Sequence, residues 1–157
     1  MSKLKEKFGK YFQFKNTTNG TDYFLRGLAL ILFFIPIGIF VGVGVALITT
    51  NAVLAGLLVG LGVLCLIPMI WFSLATTYKR INAFFPNQAT LLTVLTFLFS
   101  FIVEGLNPNS GANMDFQNPA PYVSPLDSPI YILLLLLSIV WSFYLLFGNS
   151  KVKKHIG

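Results

Sequence analysis

An all-α membrane protein with four transmembrane helices and an N-terminal interfacial amphipathic helix is the fold class this sequence predicts. Three observations carry that reading. Of 157 residues, 55% are hydrophobic and only 10% are charged, whereas soluble domains carry about 25% charged residues. The hydrophobic residues gather in runs long enough to cross a bilayer, for which about 20 helical residues suffice. The third observation is where the eleven Lys and Arg residues fall. Lys3, Lys5, Lys7, Lys10, Lys15 and Arg26 precede the first long run, Lys79 and Arg80 follow the second, and Lys151, Lys153 and Lys154 follow the last. The turn around Thr49–Asn51 carries no charge, and the segment from Glu104 to Ser128 carries only Glu104, Asp115 and Asp127. Positive charge near helix ends is retained on the cytoplasmic side during insertion. The pattern therefore predicts a single membrane domain, 1–157, with four crossings and both termini in the cytoplasm of a cell with a cytoplasmic (inner) membrane.

The interfacial helix is expected over residues 2–13. Leu4, Phe8, Tyr11 and Phe12 share one arc of a 3.6-residue period, while Lys3, Glu6, Lys7 and Lys10 share the other. An aromatic face opposite a lysine face suits the plane of an anionic leaflet. A short helix packed on the cytoplasmic ends of the other helices is the alternative. Asn16 to Gly20 reads as a turn by composition, and Thr21 or Asp22 is placed to cap the first crossing.

That first crossing spans 23–48, too long an apolar stretch for a secretory signal. The second spans 52–77, and the short link between them forces an antiparallel hairpin. The third spans 87–105 and the fourth 129–147, with an outer loop over 106–128 rich in Asn, Pro, Gly and Ser. Trp71, Tyr78, Tyr131, Trp141 and Tyr144 lie near helix ends, as in aromatic belts. Pro36 and Pro68 each remove an internal hydrogen bond, so a kink is expected near each.

Small residues suggest how the hairpin closes. Gly38 and Gly42 stand four apart in the first helix, as do Ala52, Gly56 and Gly60 in the second. Such spacing makes a flat groove that lets backbones approach where lipid offers no hydrophobic gain. Counted from the turn, Gly42 and Gly56 lie at similar depth, as do Gly38 and Gly60, so the expectation is that they face each other. Association between chains through the same grooves is the competing reading.

Few residues can carry chemistry. Cys65 is the single cysteine and His155 the single histidine, so no disulfide or thiolate cluster is expected within the chain. No ionisable residue falls at the centre of a predicted helix, where polar groups mark transport pathways and relays. Glu104 comes nearest, at the outer end of the third helix. Thr76, Thr77, Thr90, Thr93, Thr96 and Ser100 supply hydroxyls for helix packing. Neither a cofactor nor a metal is expected, and basic residues at membrane flanks argue against a nucleic-acid partner.

Lys79-Arg80-Ile81-Asn82 ends the second helix with cations that complement its dipole and suit anionic headgroups. Lys79, Arg80 and Asn82, with Lys3, Lys7 and Lys10, are the expected contacts to lipid or to a partner. This run resembles the basic pair, aliphatic and His/Asn motif of the domain-of-unknown-function 805 family of small bacterial inner-membrane proteins. Tyr11-Phe12-Gln13-Phe14-Lys15 with Asp22-Tyr23-Phe24, and the tail Phe147-Gly148-Asn149-Ser150, are similar to that family as well. The chain departs from its pattern at Lys15-Asn16 and at Ala83. The resemblance implies an architecture and a location, because the family has no characterised activity. The expected function is that of a structural or accessory subunit of a membrane complex, not an enzyme, with inner-leaflet lipids and either a membrane-protein partner or a second copy as contacts. A small oligomeric pore is the alternative, and a small-solute transporter the second.

Overall fold

A computed structural model of the chain describes residues 11–107, 109, 124 and 127–150. Most of the expected interfacial helix and outer loop, with the lysine-rich tail, lies outside these residues. Among the described residues there are no strands, and four long helices dominate: α1 (Gly20–Ala46), α2 (Ala52–Phe84), α3 (Ala89–Gly105) and α4 (Pro129–Phe147). A one-turn 3-10 helix, Pro86–Gln88, leads into α3. All four are long and apolar enough to cross a membrane, the third as the span Pro86–Gly105 that joins the 3-10 turn to α3.

The ends of the helices follow local chemistry. Asn19, not Thr21 or Asp22, caps α1, its side-chain oxygen accepting from the Asp22 N–H at 2.7 Å. After Ala46 a turn over residues 47–50 leads to Asn51, which caps α2 in the same way by accepting from Leu54 N–H at 3.1 Å. The helical assignment runs unbroken through Pro36 and Pro68.

α2 continues seven residues past the expected end at Thr77. Nothing in Tyr78–Phe84 breaks a helix, because charged residues at an interface do not end hydrogen bonding. The stop comes from Pro86, whose ring disfavours helical geometry in the residue before it. Phe85 accordingly sits at φ −132°, ψ 68°. At 33 residues, α2 is about 50 Å long, against ~30 Å of hydrocarbon.

α1 and α2 form the expected antiparallel hairpin and share the most extensive contact; α3 packs on α2, and α4 packs on both α1 and α3. The face on which the hairpin closes differs from the expectation. Gly38, Gly42, Gly56 and Gly60 all look into open space. The close approaches are at Gly44, where an added Cβ would lie 2.7 Å from Val59 Cγ2 and 3.1 Å from the Ala55 carbonyl oxygen, and at Gly62, 2.7 Å from Val41 Cγ2. The depth pairing holds but the face is reversed. Gly44 and Gly62 each lie two residues beyond the nearest expected glycine, a rotation of about 200°.

The buried side chains concentrate at one end. In α2, Ala55 and Gly62 are the buried residues of the first half, whereas Phe72 and much of Ala75–Phe84 are buried in the second. Ile81, Phe84, Ala89 and Leu145 form a core there, with Tyr23, Tyr78, Phe85, Leu92 and Trp141 around it. Elsewhere Leu32, Val53, Leu64, Phe101 and Val140 are exposed, a surface suited to lipid rather than water.

Candidate functional site

The residues preceding α1 explain why this end is packed. The segment from Tyr11 to Thr18 lies along the second half of α2. The indole N–H of Trp71 donates to the Phe12 carbonyl at 3.0 Å, and the Asn82 amide donates to the Asn16 carbonyl at 3.1 Å. Asn16 has φ 71°, a left-handed conformation that Asn tolerates better than most residues. Phe14 stands edge-on between Trp71 and Tyr78, at 5.1 and 5.5 Å between ring centres. Tyr11 and Phe12, expected on a lipid-facing arc, pack against Phe72 instead, at 6.2 and 5.7 Å. For these two residues the structure favours packing on the other helices.

Arg80 is the centre of this end. Its side chain is 2% exposed, and three of its nitrogens donate to backbone carbonyls. Nε donates to Leu145, Nη1 to Thr18 at 3.1 Å, and Nη2 to Gly148 at 2.9 Å. The Phe84 ring lies 4.5 Å from the guanidinium carbon. One planar cation thus joins the approach to α1, the last turn of α2 and the exit of α4. The fork of an arginine suits this task, and the point charge of a lysine does not. Lys79 is buried completely, and its carbonyl accepts from the Thr18 N–H at 3.4 Å. The expectation that Lys79 and Arg80 present their charge to headgroups or a partner is therefore corrected. A helix that continues through them carries both side chains inward, under the segment before α1. Asn82 is half-buried and also turned to the chain's own backbone. Lys3, Lys7 and Lys10 lie outside the described residues.

Arg26, on the second turn of α1, forms a different site. It is 6% exposed, and the Tyr11 ring lies over its guanidinium at 4.8 Å. Its Nη1 has no hydrogen-bond partner. Beside it opens a cavity of about 740 Å³, lined among the described residues by Tyr11, Phe12, Asp22, Leu25, Arg26, Ala29, Phe33 and Phe72. In the sequence Arg26 reads as a residue reaching back to the interface, and its burial depends on Tyr11, fifteen positions earlier. Only the aromatic richness of 11–14 hinted at a cover for it.

The other singled-out residues are scattered. Glu104 is exposed at the far end of α3, and Cys65 is half-buried in mid-α2. Thr93, Thr96 and Ser100 donate to carbonyls four residues back, at 2.7, 2.7 and 2.9 Å, and Thr96 also accepts from the Trp141 indole at 3.1 Å. Among the described residues no group of His, Cys, Asp or Glu gathers to hold a metal ion.

The fold thus defines an all-helical protein with four helices long and apolar enough to cross a membrane. No family model, curated protein or solved structure matches the chain.

Proposed function

We propose that the protein is a structural or accessory subunit of a complex in the cytoplasmic membrane, multi-pass, with both termini in the cytoplasm. The observation that carries this reading is a pair of open glycine notches, one on the outer face of each helix of the hairpin. Gly38 and Gly42, and Gly56 and Gly60, leave open space on the surface of two apolar helices. Small residues four apart form a notch in which another transmembrane helix packs closely. Because α1 and α2 close on the faces opposite these glycines, each helix keeps its own notch, on opposite sides of the hairpin, and these are left to partner helices. The placement of Lys and Arg supports the orientation. Lipids of the inner leaflet belong among the contacts, through the lysines before α1.

The test pairs association with integrity. Gly56→Leu and Gly60→Leu, each made in the full chain, are expected to abolish co-purification of the partner in mild detergent while leaving the melting temperature of the purified chain unchanged. Retained association would remove the basis for the reading. In sealed liposomes the isolated protein is expected to show neither gradient-coupled uptake nor a steady conductance. Uptake would favour the transporter. A conductance would favour the pore, whose lumen would have to use the hydroxyls of Thr93, Thr96 and Ser100 despite their bonds within α3.

A further inference from the structure

Arg26 places a buried cation with an unused donor on the wall of a cavity, and nothing in the hairpin or the core requires it there. Thr18 and Thr76 are the other described residues with a buried side-chain atom lacking a partner, but both are neutral. A charge withdrawn from water is costly unless an opposite charge or strong acceptors meet it. The aromatic face of Tyr11 supplies part of that need, and leaves Nη1 unanswered.

We propose that this cavity binds the phosphodiester of a membrane phospholipid, with the phosphate on the Arg26 guanidinium and an acyl chain along Leu25, Ala29, Phe33 and Phe72.

The level in the membrane fits. Arg26 is six residues from the start of α1, about 9 Å along the axis. With 27 residues, α1 is about 40 Å long and exceeds the hydrocarbon by about 10 Å. With that excess at the packed end, Arg26 lies near the boundary between headgroups and acyl chains. The shape fits as well, because a polar corner adjoins a wall that is otherwise aliphatic and aromatic. A guanidinium offers parallel donors matched to phosphate oxygens. Asp22 lies on the same wall, and its carboxylate favours a singly charged phosphodiester over a doubly charged phosphate monoester. Tyr11 is 42% exposed, so its ring can swing outward to admit the headgroup to Nη1.

The experiment uses the full chain, stripped of lipid in neutral detergent. It is titrated with phosphatidylglycerol, with diacylglycerol of the same chains, and with inorganic phosphate, and bound molecules are counted by native mass spectrometry. Phosphatidylglycerol is expected to bind, and the other two are not. Arg26→Gln should weaken phosphatidylglycerol binding about tenfold, as loss of a charge-assisted hydrogen bond does. Ala29→Phe, which fills the cavity and keeps the cation, should weaken it similarly. Equal binding of diacylglycerol would remove the phosphate from the site, and binding of inorganic phosphate would replace the lipid by a free anion. Undiminished binding in Ala29→Phe would place the lipid elsewhere, and that variant decides the matter if Arg26→Gln does not fold. None of these outcomes depends on whether a protein partner occupies a glycine notch.

Discussion

Arg80 is a structural cation. Three carbonyls from two separate segments converge on it, and each lies where a helix begins or ends and has no partner in a helical ladder. Arg80→Met would remove the donors and leave those carbonyls buried. Hydrogen bonds to charged groups contribute about 1.5–3 kcal/mol each and are not additive. A loss on the order of 3 kcal/mol is therefore expected, read from unfolding in a denaturing-detergent titration. Arg80→Lys keeps the charge but cannot span the three acceptors, so its stability should fall between that of Met and the parent. Equal stability of Lys and Arg would mean that charge alone matters. Gly20 is a second constrained position. A Cβ there would collide with the Leu146 carbonyl oxygen, which is backbone and cannot rotate away. Gly20→Ala is expected to destabilise by about 1–3 kcal/mol, as overpacking does. The same change at the open Gly27 should be close to neutral in the same titration.

At the scale of elements, the hairpin shows what a membrane sequence conceals. In a soluble helix the apolar stripe marks the inward face. Here α1 and α2 are apolar all round, and periodicity does not distinguish lipid from neighbour. Spacing from the turn was legible, so the depths at which α1 and α2 meet followed from the sequence, but the choice of face did not. Two glycine patterns about 200° apart competed. The one at Gly44 and Gly62 closes because Val59 and Val41 fill the space opposite, a fit of side-chain shape that spacing does not report. Gly44→Leu and Gly62→Leu should therefore each lower the melting temperature in detergent markedly, whereas Gly38→Leu and Gly42→Leu should leave it nearly unchanged. The reverse ranking would restore the face first expected. The end of α2 was obscured for a related reason. Lys79 and Arg80 look like an interface, and the acceptors that bury Arg80 come from residues more than sixty positions away. The aromatic segment before α1 is held in a comparable way. Trp71→Phe keeps an aromatic ring edge-on to Phe14 and removes the bond to Phe12. About 1 kcal/mol should be lost, with faster proteolysis ahead of α1 as the visible sign.

The whole molecule has an uneven build. One end holds the buried core, the aromatic segment and both Arg sites, while the hairpin tip at residues 48–51 is exposed and carries no charge. That asymmetry accords with the charge pattern. In the proposed orientation the packed end stays in the cytoplasm and the tip crosses the bilayer during insertion, which is easiest without charge. α1 and α2 are both longer than the hydrocarbon is thick, so each must tilt or extend beyond it. The burial of Phe72 and Ala75–Phe84 under residues 11–18 shows which end of α2 has its own protein cover. The orientation can be measured directly. With Cys65→Ser as the cysteine-free background, Ser110→Cys in the outer-loop segment should react with a membrane-impermeant thiol reagent in intact cells. Asn149→Cys, exposed just beyond α4, should react only after the cells are opened. Thr49→Cys, exposed at the hairpin tip, should label with Ser110→Cys. Labelling of Asn149→Cys in intact cells, with Ser110→Cys and Thr49→Cys protected, would invert the molecule. The packed end, with Arg26 and Arg80, would then face away from the cytoplasm, and the basic flanks would need an explanation other than retention during insertion.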